Sequence, residues 1–288
     1  KENSHGFTLE GLGFHGEALD RIHNSLKQRT GMVLATGPTG SGKTTTLYTM
    51  LELLNKPEVN ISTVEDPVEY QMPRVNQTQV KPEIGLSFSN GLRSLLRQDP
   101  DIIMVGEIRD GETAGLAINA SLTGHLVLST IHTNSASGAI PRLIDMGVEP
   151  FLITATVKTI IAQRLVRKLM ANKEKYFLSP VEIKNLTKIV DLDRMLGLLK
   201  DEKIIGAKDT WDKIPFYRAV RASEFEDGYS SRVGIHEVLS VTPTIRDMII
   251  KGASQDELEI QAKKEGMMTM LEDGVFQAVL GMTSLEEV

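Results

Sequence analysis

The chain has 288 residues, 41% of them hydrophobic and 24% charged, with a formal net charge of -6 at pH 7, which suits a soluble globular protein of one large domain or two ordinary ones. It contains no cysteine, which excludes disulfides, thiol catalysis and cysteine-ligated zinc, and no apolar run of about eighteen residues to span a membrane. The acidic balance argues against a broad polyphosphate-binding surface while leaving room for a local basic channel.

Residues 1–30 read as a leading segment with one amphipathic helix, because Leu19, Ile22 and Leu26 recur at a helical period. The first ten residues carry no apolar core of a secretory signal, and the missing initiator Met suggests a piece of a longer chain. From 31 to about 170, short apolar runs alternate with helical stretches. The runs lie at 33–36, 60–64, 101–105 and 125–130, and the helical stretches at 44–55, 89–98, 111–122, 135–146 and 150–170. Such alternation predicts crossover units, hence an α/β fold with a mainly parallel sheet and helices on both faces. The unbroken apolar tetrad Ile102-Ile103-Met104-Val105 suits a strand buried on both sides.

Beyond Lys168 the chain becomes richer in Lys and Asp, with Trp211 and Pro215 near an irregular stretch. Residues 244–251, 254–265 and 269–280 then read as short helices. Ser254 and Glu257 have capping-box spacing, and Gly252, Gly266 and Gly281 stand at the expected stops. Residues 171–288 are therefore expected to form a smaller, mainly helical C-terminal domain after the main domain at 31–170.

The octet Gly37-Pro38-Thr39-Gly40-Ser41-Gly42-Lys43-Thr44 matches the phosphate-loop pattern at every fixed position, between an apolar run and a helix. Backbone N–H groups then converge at a helix N-terminus, where the dipole favours an anion. Lys43 is placed to reach the outer phosphates of a nucleotide and the Thr44 hydroxyl to ligate Mg2+, with Thr45 beside them. Two acidic clusters follow, each at the carboxyl end of an expected strand, where open parallel sheets carry their chemistry. The first is Glu65-Asp66-Pro67-Val68-Glu69. In the second, Val105-Gly106-Glu107, a glycine stands where a magnesium-side Asp is usual, and Glu107 is placed to orient the attacking water or take its proton. An isolated surface carboxylate is most often merely solvated; two clusters at strand ends after a phosphate loop are harder to explain that way. A further apolar run has His125 near its start and His132 near its end, either to sense the outer phosphate or to pack. Metal binding by these histidines lacks a third ligand at convincing spacing.

These motifs together resemble the secretion-superfamily ATPases, in the branch that holds the type IV pilus assembly motor PilB and the type II secretion motor GspE. Glu65-Asp66-Pro67-Val68-Glu69 resembles their Asp box. The stretch 93–101 followed by Val105-Gly106-Glu107-Ile108-Arg109-Asp110 resembles their Walker B region, and Leu122-Thr123-Gly124-His125 through His132-Thr133-Asn134 their His box. Ala162-Gln163-Arg164-Leu165-Val166-Arg167, Arg232-Val233-Gly234-Ile235-His236-Glu237-Val238 and Gly266-Met267-Met268-Thr269-Met270 are similar to the assembly and secretion branch rather than the retraction branch. The resemblance implies a RecA-like ATPase that turns over ATP with Mg2+. Lys43 and Thr44 would hold phosphate and Mg2+. Glu107 would be the catalytic carboxylate, Glu65, Asp66 and Glu69 would support Mg2+ and water, and His132 would contact the terminal phosphate side. It also implies a cytoplasmic homo-hexamer at the inner face of the cytoplasmic membrane. Such a ring would be attached peripherally through an inner-membrane platform protein, with no nucleic acid partner.

Two departures qualify the resemblance. Many relatives carry a four-cysteine zinc loop after the segment matching 164–169, whereas this chain has Met170 there and no cysteine, so 171–228 is expected to close by apolar packing or to be partly mobile. Relatives also have an N-terminal domain that supplies arginines to a neighbour's nucleotide. The resemblance implies that those arginines come from upstream of this sequence, so slow hydrolysis is expected of the chain alone. Pilus assembly is the leading expectation, then type II secretion; a nucleic-acid-translocating ring and a nucleotide-gated scaffold that does not hydrolyse ATP are more distant.

Overall fold

In this computed structural model, residues 7–221 and 227–288 are described. The first six residues of the leading segment, and residues 222–226 of the segment after Lys168, lie outside them. The chain runs α1 (Gly16–Leu26), β1 (Gly31–Thr36), α2 (Lys43–Leu54), β2 (Ile61–Glu65), β3 (Val75–Gln79), α3 (Phe88–Leu95), β4 (Ile102–Val105), α4 (Gly111–Leu122), β5 (Leu126–Ile131), α5 (Ala139–Asp145), α6 (Pro150–Thr156) and β6 (Val157–Leu169). It continues with β7 (Lys173–Phe177), α7 (Pro180–Leu186), α8 (Leu192–Asp201), β8 (Pro215–Ala219), β9 (Tyr229–Ser240), α9 (Pro243–Ile250), α10 (Gln255–Lys264) and α11 (Met270–Val279).

Seven strands form one sheet in the order β3-β2-β4-β5-β1-β6-β9, with every neighbouring pair parallel except β6 and β9. Helices cover both faces. Met32 and Leu34 of β1 join the apolar cluster that includes α3, α4, α9 and α10, while Val33 and Ala35 join the cluster with α1 and α2. Strand alternation and the apolar runs thus give the two-sided burial expected of a parallel sheet. The carboxyl ends of β1, β2, β4 and β5 come to one edge, and the functional side chains gather there.

The expected helix over 150–170 is corrected: it stops at Thr156 and the chain passes directly into β6. The β-branched residues Val157, Thr159, Ile160 and Ile161 favour an extended chain. Partners on both sides, β1 and β9, take up its backbone hydrogen bonds. No glycine or proline separates the helix from the strand. β3 was not expected, because Val-Asn-Gln-Thr-Gln has no apolar alternation, as suits an edge strand.

The C-terminal part is tied to the main sheet through β9. Leu239, Val241, Ile245, Ile249 and Leu258 share a cluster with Leu34 and Ile103. The segment after Lys168 builds its own core from Leu178, Met195, Leu199, Trp211, Phe216 and Phe276, with Trp211 Nε1 donating to the Leu192 carbonyl at 3.1 Å. The resemblance places a zinc loop here; the described residues close this region by apolar packing.

The leading segment is clamped onto β9 and α11. Gly234 N donates to the Leu12 carbonyl, Gln277 Nε2 to the Gly13 carbonyl, and Phe14 stacks on His236 at 3.7 Å. His15 stacks on Phe276, with Nε2 2.6 Å from Asp273 Oδ1 and Nδ1 3.3 Å from Glu202 Oε2. Burial alone would lower the pKa of His15, but hydrogen bonds and charge attraction from the two carboxylates raise it to about 9. A raised folded value makes this contribution full below the ordinary 6.5 and loses it as pH climbs through about 9. Urea unfolding at stepped pH is therefore expected to show wild type weakening across that window and His15→Gln weakening less; parallel curves would contradict the pairing.

Candidate functional site

The cleft at the carboxyl edge of the sheet has a volume of about 660 Å³, ample for a nucleotide-sized ligand. Thr39, Gly40, Ser41, Gly42, Lys43, Thr44 and Thr45 of the loop and first helical turn line it together with Glu65, Asp66, Glu69, Glu107 and His132 from the strand ends. Gly37 and Pro38 are outside the lining and serve through their backbone: their carbonyls accept from Lys43 Nζ at 2.8 and 2.9 Å. Burial lowers the pKa of Lys43, and attraction from Glu107 across the cleft opposes the shift. The ammonium is therefore satisfied by neutral carbonyls, with a carboxylate facing it.

Each predicted carboxylate has its own surroundings. Glu107 follows β4, and its side chain is mostly shielded; His132 Nε2 lies 2.5 Å from Oε1 and Arg109 Nε donates to Oε2 at 2.5 Å. Gly106 permits this tip: a Cβ there would stand 3.2 Å from the Val64 carbonyl oxygen and 3.3 Å from Glu65 Cα. The glycine in the second acidic cluster thus reflects close approach of β2. Glu65 is buried, and its oxygens accept from Tyr48 Oη, from Thr63 Oγ1 at 2.5 Å and from Gln77 Nε2 at 3.2 Å. Burial and the neighbouring Glu65 push the Tyr48 hydroxyl above its ordinary pKa, so it stays a donor. Asp66 and Glu69 are exposed on the cleft wall. His125 packs away from this group, with Nδ1 2.9 Å from the Ala120 carbonyl oxygen.

The residues fit a nucleotide with a shared cation. Ser41 Oγ is buried without a hydrogen-bond partner, in the loop that the motif assigns to phosphate, where a phosphate oxygen would satisfy it. Among the described residues no group of three or more His, Asp and Glu is arranged as a metal cage. A Thr44 hydroxyl in the same cleft as Asp66 and Glu69 suits Mg2+, which binds through one or two protein groups plus phosphates. Sequence reasoning gave no role to Tyr48, Tyr70, Phe88, Leu165 or Arg232, which also line the cleft. Leu165 and Arg232 lie in segments that carry the family resemblance, and that is their only signal in the sequence.

The chain matches the family described as Type II/IV secretion system protein over residues 1–288. It belongs to that family. Type II secretion system protein E of Xanthomonas campestris pv. campestris is 50% identical over 283 residues, covering 98% of this chain and 47% of that protein. Type IV pilus assembly ATPase PilB of Thermus thermophilus is 45% identical over 281 residues, covering 97% of this chain and 30% of that protein. Among solved structures, the pilus retraction motor PilT with bound ADP matches with TM-score 0.66 and 29% identity, over 98% of this chain and 64% of that one. The chain spans about half or less of the length of these curated relatives. Among the described residues of this family member, no helix is long and apolar enough to cross a membrane.

Tyr48→Phe leaves the buried Glu65 carboxylate short of a donor. It is expected to cost about 1–3 kcal/mol in urea unfolding, and an unchanged stability would contradict the hydrogen-bond network.

Proposed function

We propose that the chain is the catalytic part of an ATP-hydrolysing motor of the kind used in pilus assembly and type II secretion. The observation that carries this reading is the facing of Lys43 and Glu107 across one cleft, with the phosphate loop on the first side and His132 on the second. The loop N–H groups and Lys43 hold the outer phosphates, and Thr44 with Asp66 and Glu69 holds Mg2+, which supplies charge neutralisation to the phosphates when bound.

Glu107 orients a water molecule. The water oxygen attacks the terminal phosphorus, the bond from phosphorus to the bridging oxygen breaks, ADP leaves, and the water proton passes to Glu107. His132 and Arg109 hold the carboxylate at its two oxygens and keep it aimed into the cleft. Glu65, fully hydrogen-bonded, supports the strand end that carries Asp66 and Glu69 and is an organiser more than a proton acceptor. Arg232 adds a positive charge to the wall from the C-terminal part.

The finer reading is pilus assembly, by a homo-hexameric ring acting on a membrane platform protein from the cytoplasmic side. The 50% identity to a type II secretion protein favours secretion as the second reading. Loss of the gene in its own organism separates them: the first reading expects loss of surface pili, the second loss of protein secretion.

Lys43→Ala is expected to abolish measurable ATP binding. Glu107→Gln is expected to keep binding and lose about 10²–10⁴ of turnover, read from nucleotide titration and phosphate release. Normal turnover by both variants would reject the assignment.

A further inference from the structure

We propose that Gln163 is a positioning residue that sets the shape of the phosphate loop, and through it the affinity for nucleotide; this rests on the reading of the cleft as an ATP site. Gln163 stands on β6, one residue beyond Ala162, which pairs with Thr36 at the end of β1. Its side chain therefore lies where β1 ends and the loop begins, and it is 2% exposed.

Both ends of its amide are used. Nε2 donates to the Ser41 carbonyl at 2.7 Å, and Oε1 accepts from Thr46 Oγ1 at 2.9 Å. One bond grips the loop just before its last glycine, and the other grips the first turn of α2. The loop presses back on the same residue: a Cβ on Gly37 would meet the Gln163 carbonyl oxygen at 2.4 Å, and one on Gly42 would meet Nε2 at 3.1 Å. The outer fixed glycines of the motif are thus both packed on Gln163.

The peptide unit is planar and trans, so its C=O and N–H point in opposite directions. Turning the Ser41 carbonyl toward Gln163 turns the Gly42 N–H away from it, and Gly42 lines the cleft. A glycine-rich backbone has more freedom to lose than any other. A buried amide that fixes it beforehand lowers the ordering cost of binding. Gln163 also pairs with His236 of β9, so the anchor of the loop belongs to the strand that the C-terminal part holds.

The test compares wild type with Gln163→Met, which keeps length and loses both bonds, and Gln163→Glu, which keeps the acceptor and sets a carboxylate against the Ser41 carbonyl. ATP and ADP affinities are measured by fluorescent-nucleotide titration, steady-state kcat and KM by phosphate release, and folded fraction by circular dichroism. Both variants are expected to bind ATP and ADP at least about tenfold more weakly, with KM rising in step and kcat changing much less. Gln163→Glu is expected to regain affinity as pH falls from about 8 to about 6, because the buried carboxyl becomes a donor when protonated; Gln163→Met is not. Wild-type affinity in the folded fraction of either variant overturns the inference, including the case where the folded fraction alone falls, as a purely structural role requires. Should Gln163→Met fail to fold, the pH dependence of Gln163→Glu decides. A wild-type chain that binds no ATP rejects the nucleotide reading itself, and this inference with it.

Discussion

The site depends on the burial of β1 from both sides. Its six residues are all buried, and its backbone is bonded to β5 on one edge and β6 on the other. A strand held so tightly cannot shift register without moving apolar side chains out of both cores. Its carboxyl end is therefore a fixed point, and the loop to Lys43 starts there. The same burial brings the ends of β2, β4 and β5 alongside, so the carboxylates opposite the loop owe their position to sheet packing.

Three charged groups of the cleft have partners within the protein, while the Ser41 hydroxyl has none. Lys43 bonds to loop carbonyls, Glu107 bonds to His132 and Arg109, and Glu65 is enclosed by Tyr48, Thr63 and Gln77. Buried polar networks of this kind are costly when incomplete and hold geometry firmly when complete. In the proposed reading, a phosphate entering the loop would exchange the carbonyl partners of Lys43 for charged oxygens, which make stronger hydrogen bonds. Glu65 has no such exchange available. This difference is why the two strand-end glutamates, alike in sequence, take different roles in the account.

Much of the architecture was legible because its signals are local. The phosphate loop, the apolar runs and the C-terminal helices carry glycine punctuation and clear periods, and the helices at 243–250, 255–264 and 270–279 lie within a residue or so of expectation. β6 was misread because Ile153, Val157, Ile160 and Ile161 also fit a helical period, and what decides their conformation is β9, more than sixty residues away in sequence. β3 is polar and silent. The members of the cleft were legible where a motif names them, as with Lys43, Glu107 and His132. Tyr48, Gln77 and Gln163 act through hydrogen bonds to groups that only the fold brings near; Gln163 stands in the family-like segment 162–167, which gives it no role by itself.

The central claim is that a triphosphate lies on the first turn of α2 with Glu107 facing its terminal phosphate. A crystal structure of the chain with Mg2+ and a non-hydrolysable ATP analogue tests this most directly. The account predicts Lys43 Nζ moved from the Gly37 and Pro38 carbonyls to the outer phosphates, with Glu107 within one water molecule of the terminal phosphorus. An analogue bound elsewhere, or Glu107 and His132 turned out of the occupied cleft, would contradict it.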